Sequence, residues 1–281
     1  MAPVVMFTAQ NSRIRLLIWP REHGAWGILG VAFLTGTAIS FTSGSPAPLL
    51  LFALAVLGLF CLRTPLVSLL GTSPLRAQNA TERRLAWSAL TAFTGVTMLA
   101  LAGLFWGGRN LGLLGLGAVC GLLFLVQSLL GKADRRTRMA AQLAGALGLT
   151  ATAAGACYVA AGRFDFTALA LWFTNWMFAV NQIHFVQLRI HHARLANRRE
   201  KFAAGRTFLL GQCLMLLVLA WGVGGGLLPG LTLAAFVPVL MRGLRWFVER
   251  AEPLRVHRLG LTELAHALVF GVLLIASYRV I

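Results

Sequence analysis

Apolar stretches with almost no charge recur along this chain at the length of a bilayer-crossing helix, and that pattern limits what it can fold into more than any single motif. A bilayer core of roughly 30 Å takes about 20 apolar residues in a helix. Stretches of about that length run over 25–41, 47–62, 85–106, 111–130, 139–161, 166–188, 207–228, 231–248 and 261–280. Of the 281 residues, 58% are hydrophobic and 12% charged, against about 25% charged in an average soluble protein. The reading is an all-α polytopic membrane helix bundle of about nine transmembrane helices, forming one integral membrane domain over 1–281. The eighth stretch is the least apolar, because Arg242 and Arg245 fall inside it. They are expected to snorkel from its cytoplasmic end. Pro65 is expected to end the second stretch by holding Thr64 extended.

The charge order supports the count. The chain carries 25 Lys+Arg against 8 Asp+Glu, a net +17. With the spans above, Arg109, Arg163 and Arg279 fall on one side and every other basic residue on the opposite side. Positive-inside asymmetry makes the rich side cytoplasmic and places the N-terminus there. Basic residues spread over short loops are topology signals and do not form the basic stripe of a nucleic-acid binder, so the expected partners are anionic lipid headgroups and no nucleic acid. Met1 to Asn11 lacks the charge-then-apolar order of a cleavable signal, so the first span is expected in the mature protein. Trp87 and Trp106 bracketing span three, Tyr158, Trp172 and Tyr278 near the outer boundary, and Trp19 and Trp246 near the inner one read as interfacial aromatics. Cys61, Cys120, Cys157 and Cys213 lie far apart with no metal-ligand spacing and read as small packing residues. Gly117 and Gly121 form GxxxG, and Ala141, Gly145 and Gly148 repeat the theme. Both are expected to let helix backbones approach closely.

Polar residues break the apolar pattern in four places. Such groups are expensive in a bilayer and usually face the bundle interior or a cavity. The first is Arg21-Glu22-His23 at the mouth of span one, either an amphipathic cap or a ligand- or proton-handling group. The second is the end of span six, with Asn175, Asn181, Gln182, His184, Gln187, Arg189, His191, His192 and Arg194. Asn181, His184 and His191 share one helical face there, and Gln187, His191, Arg194 and Arg198 another. The third is Glu263-x-x-His266 in span nine, where a Glu263–Arg pair or a helix-to-helix hydrogen bond is favoured over a metal centre, since a di-metal site needs two such helices. The fourth is Arg63 at the end of span two, set to meet a lipid phosphate or a bound anion. All four lie on the basic side and are expected to line one pocket open to the cytoplasm.

Pro20-Arg21-Glu22-His23-Gly24-Ala25-Trp26 resembles the Pro-basic-x-His-Gly-Ala-Trp signature that opens the YwiC-like family of bacterial membrane proteins, and Arg63-x-Pro65-Leu66 looks like its second-span pattern. The resemblance implies a multi-pass protein of the bacterial cytoplasmic (inner) membrane and carries no biochemical activity. A more distant resemblance is to the UbiA-type intramembrane prenyltransferases, which have nine helices and two Asp-rich, Mg²⁺-holding cytoplasmic loops. This chain offers Asn79 and Glu82 in the first such loop and Asn197 and Glu200 in the second, with no Asp.

These readings converge on a cavity lined by Arg and His for an anionic or lipid-linked, prenyl phosphate-like ligand. Arg21, Arg63, Asn181, Gln187, Arg189, His191, Arg194, Glu263 and His266 are the expected ligand contacts. His23, His184 and Glu22 are the expected proton-handling groups if the chain is a degenerate UbiA-like transferase. The competing expectations are a small-anion transporter and a metal-binding or scaffold protein.

Overall fold

The structure is a computed structural model, which describes residues 16–20, 23–71, 76–109, 111–133, 137–250 and 254–280, the side chain of His23 excepted. In chain order its helices are α1 (His23–Ser40), α2 (Ala47–Leu69), α3 (Ala80–Trp106), α4 (Leu111–Ala133) and α5 (Arg138–Ala161). There follow α6 (Phe166–His192), the short α7 (Arg198–Ala204), α8 (Arg206–Gly224), α9 (Thr232–Val248) and α10 (Val256–Arg279). No strand occurs among the described residues. Every apolar stretch read from the sequence coincides with a helix. Six helices (α2, α3, α4, α5, α8 and α10) are long and apolar enough to cross a membrane by length and composition. The apolar part of α1 is shorter, α6 is diluted by its polar end, and α9 has only 17 residues. The architecture is that of a multi-pass membrane helix bundle.

The chain divides into two compact units. The smaller holds 16–20, α2 and α3. Its helices form a close hairpin at Gly58, where a Cβ would lie 2.3 Å from Thr97 Oγ1. The start of α3 is a reciprocal cap. Asn79 Oδ1 accepts from the Glu82 N–H at 2.7 Å, and Glu82 Oε2 accepts from the Gln78 N–H at 2.8 Å, which satisfies helix-end donors that have no partner within the helix. Pro65 does not end α2 as expected. It lies inside the helix, which continues to Leu69. Proline removes a single backbone donor, and membrane helices tolerate it where neighbouring groups take up the freed carbonyl.

The larger unit holds α1 from Gly24 onward and α4 to α10. Its core joins Val31 and Ala32 of α1, Ala153 and Cys157 of α5, Phe178 of α6, Leu219 of α8, Phe236 of α9 and Phe270 of α10. The rings of Phe178 and Phe270 stack at 4.2 Å. Small residues set the spacing. At Gly36 an added Cβ would sit 2.2 Å from Ala153 O. Gly145 seats the Gln127 side chain, whose Nε2 would be 2.7 Å from a Cβ there. The GxxxG expectation fails on α4, since nothing lies within 4 Å of a Cβ at Gly117 or Gly121. Helix α4 meets α5 on another face, through Leu123 and Gln127. Trp246, expected in the inner aromatic belt, is instead 1% exposed inside the bundle, and the indole N–H of Trp172 donates to Leu147 O of α5 at 2.8 Å. Exposed apolar side chains such as Leu122, Leu125 and Leu129 on α4 and Leu210, Leu214 and Leu217 on α8 form outward helical stripes suited to lipid.

Candidate functional site

The polar end of α6 begins as a packed helix. Asp165 caps its start, accepting from the Ala168 N–H at 3.1 Å. Asn175 donates to Thr35 Oγ1 of α1 at 3.1 Å and to Leu171 O at 2.8 Å, so the first amide of the cluster is a buried tie between two helices.

Two turns further on, four helices place polar side chains against one another. Asn181 of α6 donates through Nδ2 to Gln212 Oε1 of α8 at 2.9 Å. Its Oδ1 accepts from Arg242 Nη2 of α9 at 3.0 Å. Arg242 Nη1 is ion-paired with Glu263 Oε2 of α10. Gln182, next to Asn181, donates to the backbone carbonyl of Glu263 at 2.7 Å. The guanidinium carbon lies 4.1 Å from the centroid of the Phe185 ring, a cation–π contact that strengthens when desolvated. The Arg242 and Glu263 side chains are 10% and 7% exposed.

Local packing explains how these groups meet. Gly243 follows Arg242, and a Cβ there would lie 2.9 Å from the Phe208 ring of α8. The glycine thus lets α9 approach α8 with Arg242 turned toward α6. Phe185, Leu188, Phe208, Trp246 and Phe247 form an apolar cluster on the side toward the helix ends. Glu263 is seven residues into α10 and Arg242 six from the end of α9, each about 10 Å along its helix at 1.5 Å per residue. The pair is therefore buried one to two turns inside the end that carries Arg206, Arg245, Arg250, Arg255 and Arg258.

The network uses the pair incompletely. Arg242 Nε and Glu263 Oε1 are buried without a hydrogen-bond partner in the described structure. A pair removed from solvent is usually sustained by satisfying every remaining donor and lone pair. Here Asn181 holds one nitrogen of the guanidinium, a single contact joins it to the carboxylate, and one polar atom on each side stays open.

The other expected site residues are placed as follows. His184 is half-buried, with its ring edge-on to Phe208 at 5.3 Å. Gln187 donates to Gln142 Oε1 of α5 at 3.2 Å. His191 is exposed, with Nδ1 2.8 Å from Gln187 O one turn back. His266 Nδ1 lies 2.7 Å from Thr262 O in the same way. Arg189 is half-buried and Arg194 exposed. The face proposed for Gln187, His191, Arg194 and Arg198 is divided, because α6 ends at His192 and Arg198 begins α7. Arg63 is half-buried in the smaller unit. Arg21, Glu22 and the side chain of His23 lie outside the described residues.

Of the four clusters, the structure joins the second to the third, through Asn181, Gln182 and Glu263. The residue that joins them is Arg242, which the sequence reading assigned to the snorkelling set. It does not reach the surface, whereas Arg245, three residues on, does, and pairs with Glu249 at 2.7 Å. The clue was an acid on α10 with no Arg or Lys within a turn of it and an arginine inside an apolar stretch. Among the described residues no three His, Cys, Asp or Glu side chains are grouped to hold a metal ion.

Lys201 closes the same end. It is 2% exposed and donates to Trp246 O at 3.1 Å and Glu249 O at 2.7 Å, capping the last carbonyls of α9 as a cation suits a helix C-terminus. Burial, and then repulsion from Arg189, pull its amine below the ordinary lysine value, with Glu249 acting the other way.

Residues 19–158, from the Trp19–Trp26 signature through most of α5, match the family model described as YwiC-like protein. Over these residues the chain belongs to the YwiC-like family. No curated protein and no solved structure matches it. The YwiC-like region contains both motifs that suggested the family, and it ends before α6. Asn181, Gln212, Arg242 and Glu263 all follow the YwiC-like region.

Proposed function

We propose that the protein binds an anionic ligand, small or lipid-linked through a phosphate, from the cytoplasmic side of a bacterial inner membrane. The carrying observation is Arg242, a guanidinium buried in a membrane-type bundle and fixed by Glu263, Asn181 and Phe185. Ionisable groups at such depth commonly mark ligand or ion pathways. The basic residues at the adjoining helix ends, with Arg189, His191 and Arg194 among them, supply a field that gathers anions. Guanidinium groups match phosphate and carboxylate oxygens. In the described part of the first UbiA-type loop, Asn79 and Glu82 cap α3, so this reading places the anion on arginine and leaves Mg²⁺ out.

The test heats the purified protein in detergent with a prenyl diphosphate, pyrophosphate or inorganic phosphate, each with and without Mg²⁺. A ligand taken only by the folded state raises Tm. The expected result is stabilisation without Mg²⁺, lost in Arg242→Gln. Stabilisation by the prenyl compound only with Mg²⁺ would favour a transferase with His184 as proton donor. No shift with any anion would overturn the reading.

A further inference from the structure

Resting on that reading, we infer that Glu263 is a displaceable counter-ion: it takes up a proton as the anion arrives on Arg242, so that binding couples one proton to one negative charge. The carrying geometry is the half-engaged pair. Only Oε2 of Glu263 meets the guanidinium, while Oε1 is buried with no partner. On the other side Arg242 keeps an unused Nε. The guanidinium has supports besides Glu263, because Asn181 Oδ1 accepts from Nη2 and the Phe185 ring lies against its face. Gln182 donates to the backbone carbonyl of Glu263, and the carboxyl oxygen Oε1 has no hydrogen-bond partner among the described residues. The carboxyl can therefore turn away from the guanidinium while both helices stay in place.

Charge then enforces the coupling. Arginine does not release its proton in a protein. The one member of the pair that can be neutralised is the carboxylate, which forms a carboxylic acid when a proton adds to one of its oxygens. That proton leaves the guanidinium without a counter-ion in a low-dielectric site, and an isolated buried charge is too costly to persist. An anion oxygen in place of Oε2 restores neutrality. The balance is one proton onto Glu263 and one negative charge onto Arg242, with no bond made or broken elsewhere.

The other groups around Glu263 do not substitute for it. On α6, Asn181 and Gln182 are neutral and His184 packs on Phe208. On α8, Gln212 is neutral, and Arg206 lies at the helix start. On α9, Arg245 is engaged by Glu249. The described part of α1 beyond His23 has no charged residue. On α10 itself, His266 is the titratable side chain one turn on from Glu263.

The experiment measures affinity for pyrophosphate and inorganic phosphate between pH 5 and 9, by thermal shift and calorimetry, in wild type, Glu263→Gln and His266→Gln. The ligand's own ionisation is common to all three and cancels in the ratio. One coupled proton makes wild-type affinity fall about tenfold per pH unit relative to Glu263→Gln, above the pH at which Glu263 titrates. His266→Gln should keep that slope. Calorimetry of the wild type in two buffers of different ionisation enthalpy should show one more proton taken up than phosphate chemistry requires, a readout that stands even if Glu263→Gln fails to fold. Binding with parallel pH profiles in wild type and Glu263→Gln, or no extra proton, overturns the coupling and leaves the anion site standing. No binding by wild type or Glu263→Gln at any pH overturns both.

Discussion

Asn181 and Arg242 are 61 residues apart in sequence, and the amide oxygen of one accepts from the guanidinium of the other at 3.0 Å inside the bundle. That contact orients the charge for which Glu263 is the partner, and it makes α6 the wall on which α9 and α10 are aligned.

Removing one half of the pair should cost far more than removing both. Arg242→Ala strands the Glu263 carboxylate, and breaking a buried pair costs about 3–5 kcal/mol. Arg242→Met combined with Glu263→Leu should recover most of that loss, because apolar residues of similar volume leave no buried charge. Thermal melting of the single and double variants in one detergent checks this. A double variant no more stable than Arg242→Ala would mean the pair is not the cause.

The two amides of α6 should separate by size of effect. Asn181→Leu leaves both Arg242 Nη2 and Gln212 Oε1 without their partner, a loss of about 2 kcal/mol if each orphaned group costs about 1 kcal/mol. Gln182→Leu removes one interhelical bond to a carbonyl, for which about 0.6 kcal/mol is typical in membrane bundles. Equal destabilisation in equilibrium unfolding would contradict the network as described.

Two glycines test the packing. At Gly36 an added methyl would meet Ala153 O at 2.2 Å, a backbone atom that cannot swing aside. Gly36→Ala should lose about 1–3 kcal/mol by overpacking. At Gly117 there is open space, and alanine should gain up to about 1 kcal/mol from helix propensity. The melting temperatures should move in opposite directions.

Lys201 gives a pH signature. Its folded-state pKa is lowered by burial and by Arg189, so at alkaline pH the unfolded chain holds that proton more tightly than the folded one. Stability from this group therefore rises with pH between its lowered value and the ordinary lysine value of about 10.4. Below that window both states are protonated and the contribution is flat. Subtracting the Lys201→Met profile from wild type should isolate the alkaline rise. A difference that falls with pH would reverse the assignment.

Orientation has a direct check. Arg163 precedes α6 and Arg194 follows it. In a chain otherwise free of cysteine, a membrane-impermeant thiol reagent applied to intact cells should label Arg163→Cys and spare Arg194→Cys. The opposite pattern would invert the topology.

Hydropathy made the helices legible, because a bilayer filters for apolar length, and each apolar stretch became a helix. It also marked Asn181 and Glu263, since carboxamides and carboxylates stand out against leucine. It gave Glu263 an arginine partner without saying which one, and gave Asn181 no partner. Arg242 and Arg245 look alike in sequence, three residues apart, yet one turns in to Glu263 and the other out to Glu249. The difference comes from Gly243 letting α9 approach Phe208, a tertiary distance with no one-dimensional trace. Pro65 was misread for a related reason: proline's local preference for an extended predecessor was overridden where the helix could spare one donor. The glycines of α4 misled because GxxxG marks a face able to pack closely and says nothing of whether a neighbour occupies it.

The separation of Arg242 from its counter-ion also constrains how the chain is made. Helix α9 is 17 residues long and contains Arg242, while Glu263 is reached only after a further 21 residues. An arginine deep in a nascent segment opposes lateral release into lipid by about 2.5–3.5 kcal/mol when it sits at the helix centre. A ribosome-bound chain ending before Glu263 presents that charge alone. The last two helices are thus suited to enter the bilayer together, as a hairpin neutralised from within, with α9 waiting beside the insertion machinery until α10 has been synthesised.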